Sequence, residues 1–230
     1  MAFVKYIFCA ALLVSGSAAQ DVQPQAQDLL AKAKQTYTQA GPKAALPQFE
    51  EALKRFRTSN DRRGESVTLV YIANCHRKLE HLEKAVEFAQ QALAMKEELG
   101  DRDEIGKTHN QLGLIYWERA DYPAAIDHLR QAIEIGSSVG DKELEGSARN
   151  NLGLVFDERG DYTRSLEQYQ HALELHRATH FERGEGDTLG NIGGVYLLLG
   201  RFREALPYYQ QALALSERLH LKPASSDDFG

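Results

Sequence analysis

The chain has 230 residues, of which 43% are hydrophobic and 26% charged, the composition of a folded protein with enough apolar material to bury a core. Its formal net charge of -6, with Lys and Arg not gathered into one basic stripe, gives no general attraction to phosphate backbones and argues against nucleic acid as a partner. Only six prolines, set among many Ala, Leu, Glu, Gln and Arg residues, favour helix, because those side chains lose little rotamer freedom there.

At the N-terminus Lys5 precedes an apolar run from Tyr6 to Val14, followed by the small residues Ser15-Gly16-Ser17-Ala18-Ala19 and a polar stretch from Gln20. The run is too short to span a bilayer, and Ser17 and Ala19 suit the two recognition pockets of a signal peptidase. A signal peptide over 1–19, cleaved after about Ala19, is therefore expected, with 20–26 as a linker, a secreted or periplasmic location, and no membrane insertion after cleavage. A lipoprotein anchor fits poorly, since Cys9 follows bulky Phe8 in mid-run. Loss of Cys9 would leave Cys75, between Asn74 and His76, as a lone cysteine that suits a small buried filler better than a reactive thiol.

From about Gln27 onward the chain matches itself at an offset of 40 residues. Leu112-Gly113-Leu114-Ile115-Tyr116 returns as Leu152-Gly153-Leu154-Val155-Phe156 and as Ile192-Gly193-Gly194-Val195-Tyr196, while Ala92, Ala132, Ala172 and Ala212 hold one further position. A fixed period of this length indicates a solenoid of stacked units. Each unit carries two apolar stripes at helical spacing separated by a break, at Gly160 or Gly200 for example, so each is a helical hairpin. The small residues Ala73, Gly113, Gly153 and Gly193 fall where the two helices approach, and Tyr116, Phe156 and Tyr196 fill the next turn. Loops such as Gly100-Asp101-Arg102-Asp103 and Gly140-Asp141-Lys142-Glu143 join a helix-stopping Gly to a capping Asp.

The spacing Leu-Gly-x-x-Tyr, then Gly-Asp-Tyr, then Ala, then Ala-Leu resembles the tetratricopeptide repeat, with Ala85, Ala125 and Ala205 at its second-helix alanine and Ser165 in the remaining unit. The unit is about six residues longer than the 34-residue repeat, and in this it resembles kinesin light chains and bacterial arrays that precede caspase-like peptidase domains. The resemblance implies an all-α, right-handed α-α superhelix (solenoid) of antiparallel helix hairpins. Five repeats are expected at 27–66, 67–106, 107–146, 147–186 and 187–226. Residues 227–230, in register with Asp187-Thr188-Leu189-Gly190, are expected to begin a further, truncated repeat. In the first repeat Lys32 and Thr36 stand where the family has Leu and an aromatic, which suits a polar N-terminal cap.

The family binds peptides or partner helices on the concave surface lined by first helices. Asn110 and Asn150 are equivalent outward positions there; one turn earlier lie Lys107 and Ser147, and Asn74, Arg77, Trp117 and Asp157 are assigned to the same side. A carboxamide donates and accepts at once, which suits bonding to a peptide backbone, whereas solvated helix faces are the plain alternative. Asn151 and Asn191 match a consensus Asn and are assigned a structural role. Val70 stands at the Lys position of the chaperone-tail clamp in the unit of Asn74, so that ligand is not expected.

No catalytic, cofactor or metal site is expected. His176 and His180 are four residues apart on a helix but lack a third ligand at a recognisable spacing and suit surface positions better; Gly184-Glu185-Gly186 before Gly190 has neither a preceding strand nor a following Lys. Asp101 and Asp103 suit caps rather than a Ca²⁺ loop. Pro47 and Pro207 fall inside second helices, where proline removes a donor. The function expected is a scaffold for a protein or extended peptide; the alternative is the recognition arm of an enzyme whose catalytic part lies beyond residue 230, and possible self-association comes third.

Overall fold

The computed structural model describes residues 25–221, which are helical apart from short turns. The expected signal peptide, most of the 20–26 linker and the expected repeat start at 227–230 lie outside the described residues. The helices are α1 (25–40), α2 (Pro42–Ser59), α3 (Arg62–Lys78), α4 (Leu82–Leu99), α5 (Arg102–Glu118), α6 (Tyr122–Val139), α7 (Lys142–Glu158), α8 (Tyr162–Thr179), α9 (Glu182–Leu198) and α10 (Phe202–Leu221). Residues 25 and 26 belong to α1 rather than to a linker, and Ala26 is fully buried beside Ala52 and Phe56.

First helices begin at Arg62, Arg102, Lys142 and Glu182 and second helices at Leu82, Tyr122, Tyr162 and Phe202, each 40 residues after the one before. Boundaries at 67, 107, 147 and 187 therefore fall inside first helices; the turns at Asn60, Gly140 and His180, all with left-handed backbones, are where the chain reverses between hairpins of one unit. Asp61, Asp141 and Asp161 accept from backbone N–H groups three residues on at 2.8, 2.9 and 3.1 Å, satisfying a donor that the helix start leaves unpaired.

The chain forms two compact units, one ending at Asp101 and the other beginning at Arg102. In the first, α2 packs on α3 and α3 on α4 around Phe49, Leu69, Ile72 and Met95, with Phe49 stacked on Tyr71 at 5.1 Å. Lys32 is exposed, and Thr36 donates to Lys32 O and to Gln48 Oε1 in place of an aromatic contact.

In the second unit each helix packs on the next, and the first helices α5, α7 and α9 also touch in series. Gly113 and Gly153 let the hairpin helices close: a Cβ there would stand 2.5 Å from Leu129 Cγ and 2.5 Å from Tyr169 Cε1, distances no real side chain adopts. A stacked ring pair recurs across hairpins, His76 on Phe88 at 5.4 Å, Tyr116 on His128 at 5.2 Å and Tyr196 on Tyr208 at 5.5 Å. Pro47 and Pro207 are each the sixth residue of their helices, beyond the first turn where proline is free of cost, yet both helices continue past them.

Candidate partner-binding face of the first helices

In α5, Lys107 is exposed and already engaged, donating to Asp103 Oδ2 at 2.8 Å with Glu104 Oε1 at 3.6 Å. The hydrogen bond to Asp103 raises its pKa and holds the charge. One turn on, Asn110 is half-buried and its Oδ1 accepts from Asn151 Nδ2 of α7 at 2.8 Å. The arrangement repeats: Asn150 Oδ1 accepts from Asn191 Nδ2 of α9 at 3.0 Å and from Thr188 Oγ1 at 3.1 Å. Each carboxamide oxygen is thus engaged by the neighbouring helix, that of Asn110 by one donor and that of Asn150 by two, while Nδ2 of Asn110 and of Asn150 has no hydrogen-bond partner among the described residues. The unengaged group common to both side chains is therefore the Nδ2 donor.

The row of Asn110 and Asn150 ends at Gly190, and Leu114 and Leu154 are followed by Gly194. No atom lies within 4 Å of a Cβ built at Gly190, so the third first helix shows bare backbone where its neighbours carry amides. Gly190 stands at the same 40-residue register as Asn110 and Asn150, but with no side chain it carries no local signal of belonging to this face.

Trp117 and Asp157 are less available than the outward assignment supposes. Trp117 is half-buried against the cluster of Ile126, Leu129, Leu152 and Phe156. Asp157 Oδ1, Ser165 Oγ and Tyr169 Oη are buried with no hydrogen bond of full geometry among the described residues, the Ser165 hydroxyl lying near that of Tyr169, on the α7–α8 hairpin where the α5–α6 hairpin has Trp117, Ala125 and Leu129. Burial, then Glu158, raises the Asp157 pKa; burial, then the Asp157 carboxylate, raises that of Tyr169. In the first unit Asn74 and Arg77 are half-buried on α3, and Asn74 makes no side-chain hydrogen bond among the described residues.

His176 is a core residue rather than a surface one: it is 1% exposed, edge-on to Phe181, in space left by Gly146 and Gly184, whose added Cβ atoms would approach its ring at 2.9 and 2.8 Å. His180, by contrast, is exposed and takes the left-handed turn that ends α8. Gly184, Gly186 and Gly190 all lie within α9, and among the described residues no cluster of three His, Cys, Asp or Glu side chains could hold a metal. Cys75 is fully buried, and burial pushes its thiol up to about 12, with Glu50 adding to the shift, so the group is an inert filler. No described helix is long and apolar enough to cross a membrane.

The tetratricopeptide repeat model matches residues 33–98, 104–178 and 144–218, most of the chain. The chain belongs to the tetratricopeptide repeat family. Among solved structures this repeat array is similar to BtubC (BKLC) from P. vanneervenii, at 18% identity and a TM-score of 0.71 over 93% of this chain and 92% of that one. It is also similar to a Podosopora anserina protein of nearly identical, kinesin-light-chain TPR-like repeats, at 13% identity and a TM-score of 0.65 over 86% of this chain and 98% of that one. A Rap protein in complex with competence and sporulation factor matches at 14% identity and a TM-score of 0.76, over 86% of this chain and 54% of that one. At these identities the likeness shows the tetratricopeptide fold. Comparison with curated proteins finds no match. A repeat array of this kind is a protein-interaction scaffold.

Proposed function

We propose that this array is exported and holds a protein segment or extended peptide along the first helices of its second unit, with Asn110 and Asn150 donating to the bound backbone. The observation that supports this is the repeated bond from Asn151 to Asn110 and from Asn191 to Asn150, which orients two carboxamides identically and leaves their Nδ2 groups unspent. Backbone carbonyls are common to every extended segment, so such donors grip a chain regardless of its sequence, while Leu114, Leu154 and the bare backbone at Gly190 leave room for side chains. Binding rather than catalysis is the role assigned to this face. Support also comes from the Rap protein, whose fold is similar and which was solved with competence and sporulation factor bound.

Peptides selected from a displayed random library against the purified chain, followed by hydrogen-exchange mapping of the selected complex, test the site. Added protection in α5, α7 and α9 is expected; protection confined to other helices overturns the assignment. For export, N-terminal sequencing of the native protein is expected to begin at about Gln20, and retention of Met1 to Ala19 contradicts it.

A further inference from the structure

On α7, Asn150, Leu154 and Asp157 are spaced four and three apart, so they lie on one face of the helix, in that order along its axis. From Asn150 to Asp157 is about 10 Å at about 1.5 Å per residue. Asp157 is half-buried and makes no hydrogen bond or ion pair among the described residues. Its Oδ1 is buried on the side of the fully buried Ser165 and Tyr169, near enough for the carboxylate to raise the Tyr169 pKa, and Oδ2 is the oxygen that is not buried. Glu158 is the charged neighbour that acts on Asp157, and no positive group offsets it. The flanking first helices carry Asn110, Leu114 and Trp117 on α5 and Gly190, Gly194 and Leu197 on α9 at the same places. Within this row of three the carboxylate is confined to α7.

Given a segment bound along this face, which rests on the function proposed above, we propose that it carries a Lys or Arg side chain opposite α7 whose cation is received by Asp157. With the segment's backbone at Asn150, a side chain has about 10 Å to cover, which suits the long stem of Lys or Arg and not a backbone amine. The methylenes of that stem lie over Leu154 while the charged head reaches Asp157 Oδ2. A half-buried carboxylate without a cation is disfavoured by lost hydration, and Glu158 adds repulsion; a cation brought by the partner relieves both. An acidic side chain at this place would meet two like charges. A metal ion lacks the further ligands that it needs, since no cluster of three candidate side chains occurs among the described residues. On the α5 side of the carboxylate, Trp117 offers an indole rather than a second acid, so the preference for a basic residue falls at one position of the segment.

Peptides selected from a displayed random library against the full chain provide the probe. The selected sequences are expected to share one Lys or Arg at a fixed position, and hydrogen exchange is expected to place them on α5, α7 and α9. A double-mutant cycle by calorimetry then combines Asp157→Asn with the same peptide carrying Gln for its basic residue. Either change alone should weaken binding at least about tenfold, and the second should add little to the first. Asp157→Asn is nearly isosteric and removes an unpaired charge, so the melting temperature should not fall. Should that variant fail to fold, Glu158→Gln, at an exposed position, is expected to weaken the basic peptide about threefold, and no loss there overturns the proposal. Peptides that protect α5, α7 and α9 yet share no basic residue, or bind Asp157→Asn as tightly as the parent, overturn the proposal and leave the binding face standing. Protection confined to other helices removes the face and the proposal together.

Discussion

Asn151 donates its side-chain amide to Oδ1 of Asn110 at 2.8 Å, and forty residues on Asn191 does the same for Asn150 at 3.0 Å. The pair assigned a structural role and the pair assigned to binding are therefore one device: the structural asparagines hold the others by their oxygens. Loss of the donor leaves a half-buried acceptor short of a partner, at a cost of about 1 kcal/mol. Asn151→Ala should lower stability to urea by about that amount, and Asn191→Ala by less, because Thr188 Oγ1 still reaches Asn150. Equal losses would show that Thr188 contributes nothing.

The glycines rank themselves. Gly-to-Ala within a helix gains about 1 kcal/mol in propensity, and overpacking costs about 1–3. At Gly113 and Gly153 the new Cβ would sit 2.5 Å from buried Leu129 and Tyr169, so net destabilisation is expected. At Gly193 the nearest atoms stand at 3.2 Å, and the two effects should nearly cancel; at Gly190 nothing stands within 4 Å, and Ala should stabilise. Thermal melts of the four variants check the order 190, 193, then 113 and 153.

Ser165 carries a buried hydroxyl that lies near that of Tyr169 without a hydrogen bond of full geometry, where Ala85, Ala125 and Ala205 occupy the same place in other hairpins. Ser165→Ala removes a poorly met polar group at nearly constant volume and should stabilise the chain by up to about 1 kcal/mol. A lower melting temperature would mean that the hydroxyl is bonded in solution.

His109 and His128 bring their Nδ1 atoms to 2.9 Å, with Tyr116 stacked on His128 and Asp127 adjacent to it. One ring must donate and the other accept, so a second proton on Nδ1 breaks the pair. Burial, then His128, lowers His109 from 6.5 to about 4, and burial lowers His128 despite Asp127. The unfolded chain binds more protons across this window, so stability is complete above 6.5 and falls as the pH drops toward about 4. Half-burial limits the effect to about 1 kcal/mol per ring. His109→Gln should flatten the dependence of the urea midpoint on pH between 7 and 5. An unchanged slope would assign the loss to His76 and His176, both also lowered by burial.

Much of the fold was legible because a helical hairpin repeats its own chemistry: Gly113 and Gly153 are close approaches, and Asp141 is a cap, as their spacing indicates. What escaped depends on contacts between helices far apart in sequence. Nothing local in His176 announces that Gly146 and Gly184 leave it a cavity. Trp117 and Asp157 lie on a boundary between the outward face and the hairpin interior, where helical periodicity alone does not choose the side. The bond from Asn151 to Asn110 spans 41 residues, one more than the repeat, so a search at the repeat period pairs neither with the other.

The most direct test of the binding proposal replaces the unspent donor and keeps the spent acceptor. Asn110→Asp with Asn150→Asp preserves the oxygens that Asn151 and Asn191 need and removes both Nδ2 groups. For a library-selected peptide titrated by calorimetry, the account predicts affinity weaker by at least about tenfold, the loss of two hydrogen bonds to the backbone at about 1 kcal/mol each, with helical content unchanged. Unaltered affinity would contradict it.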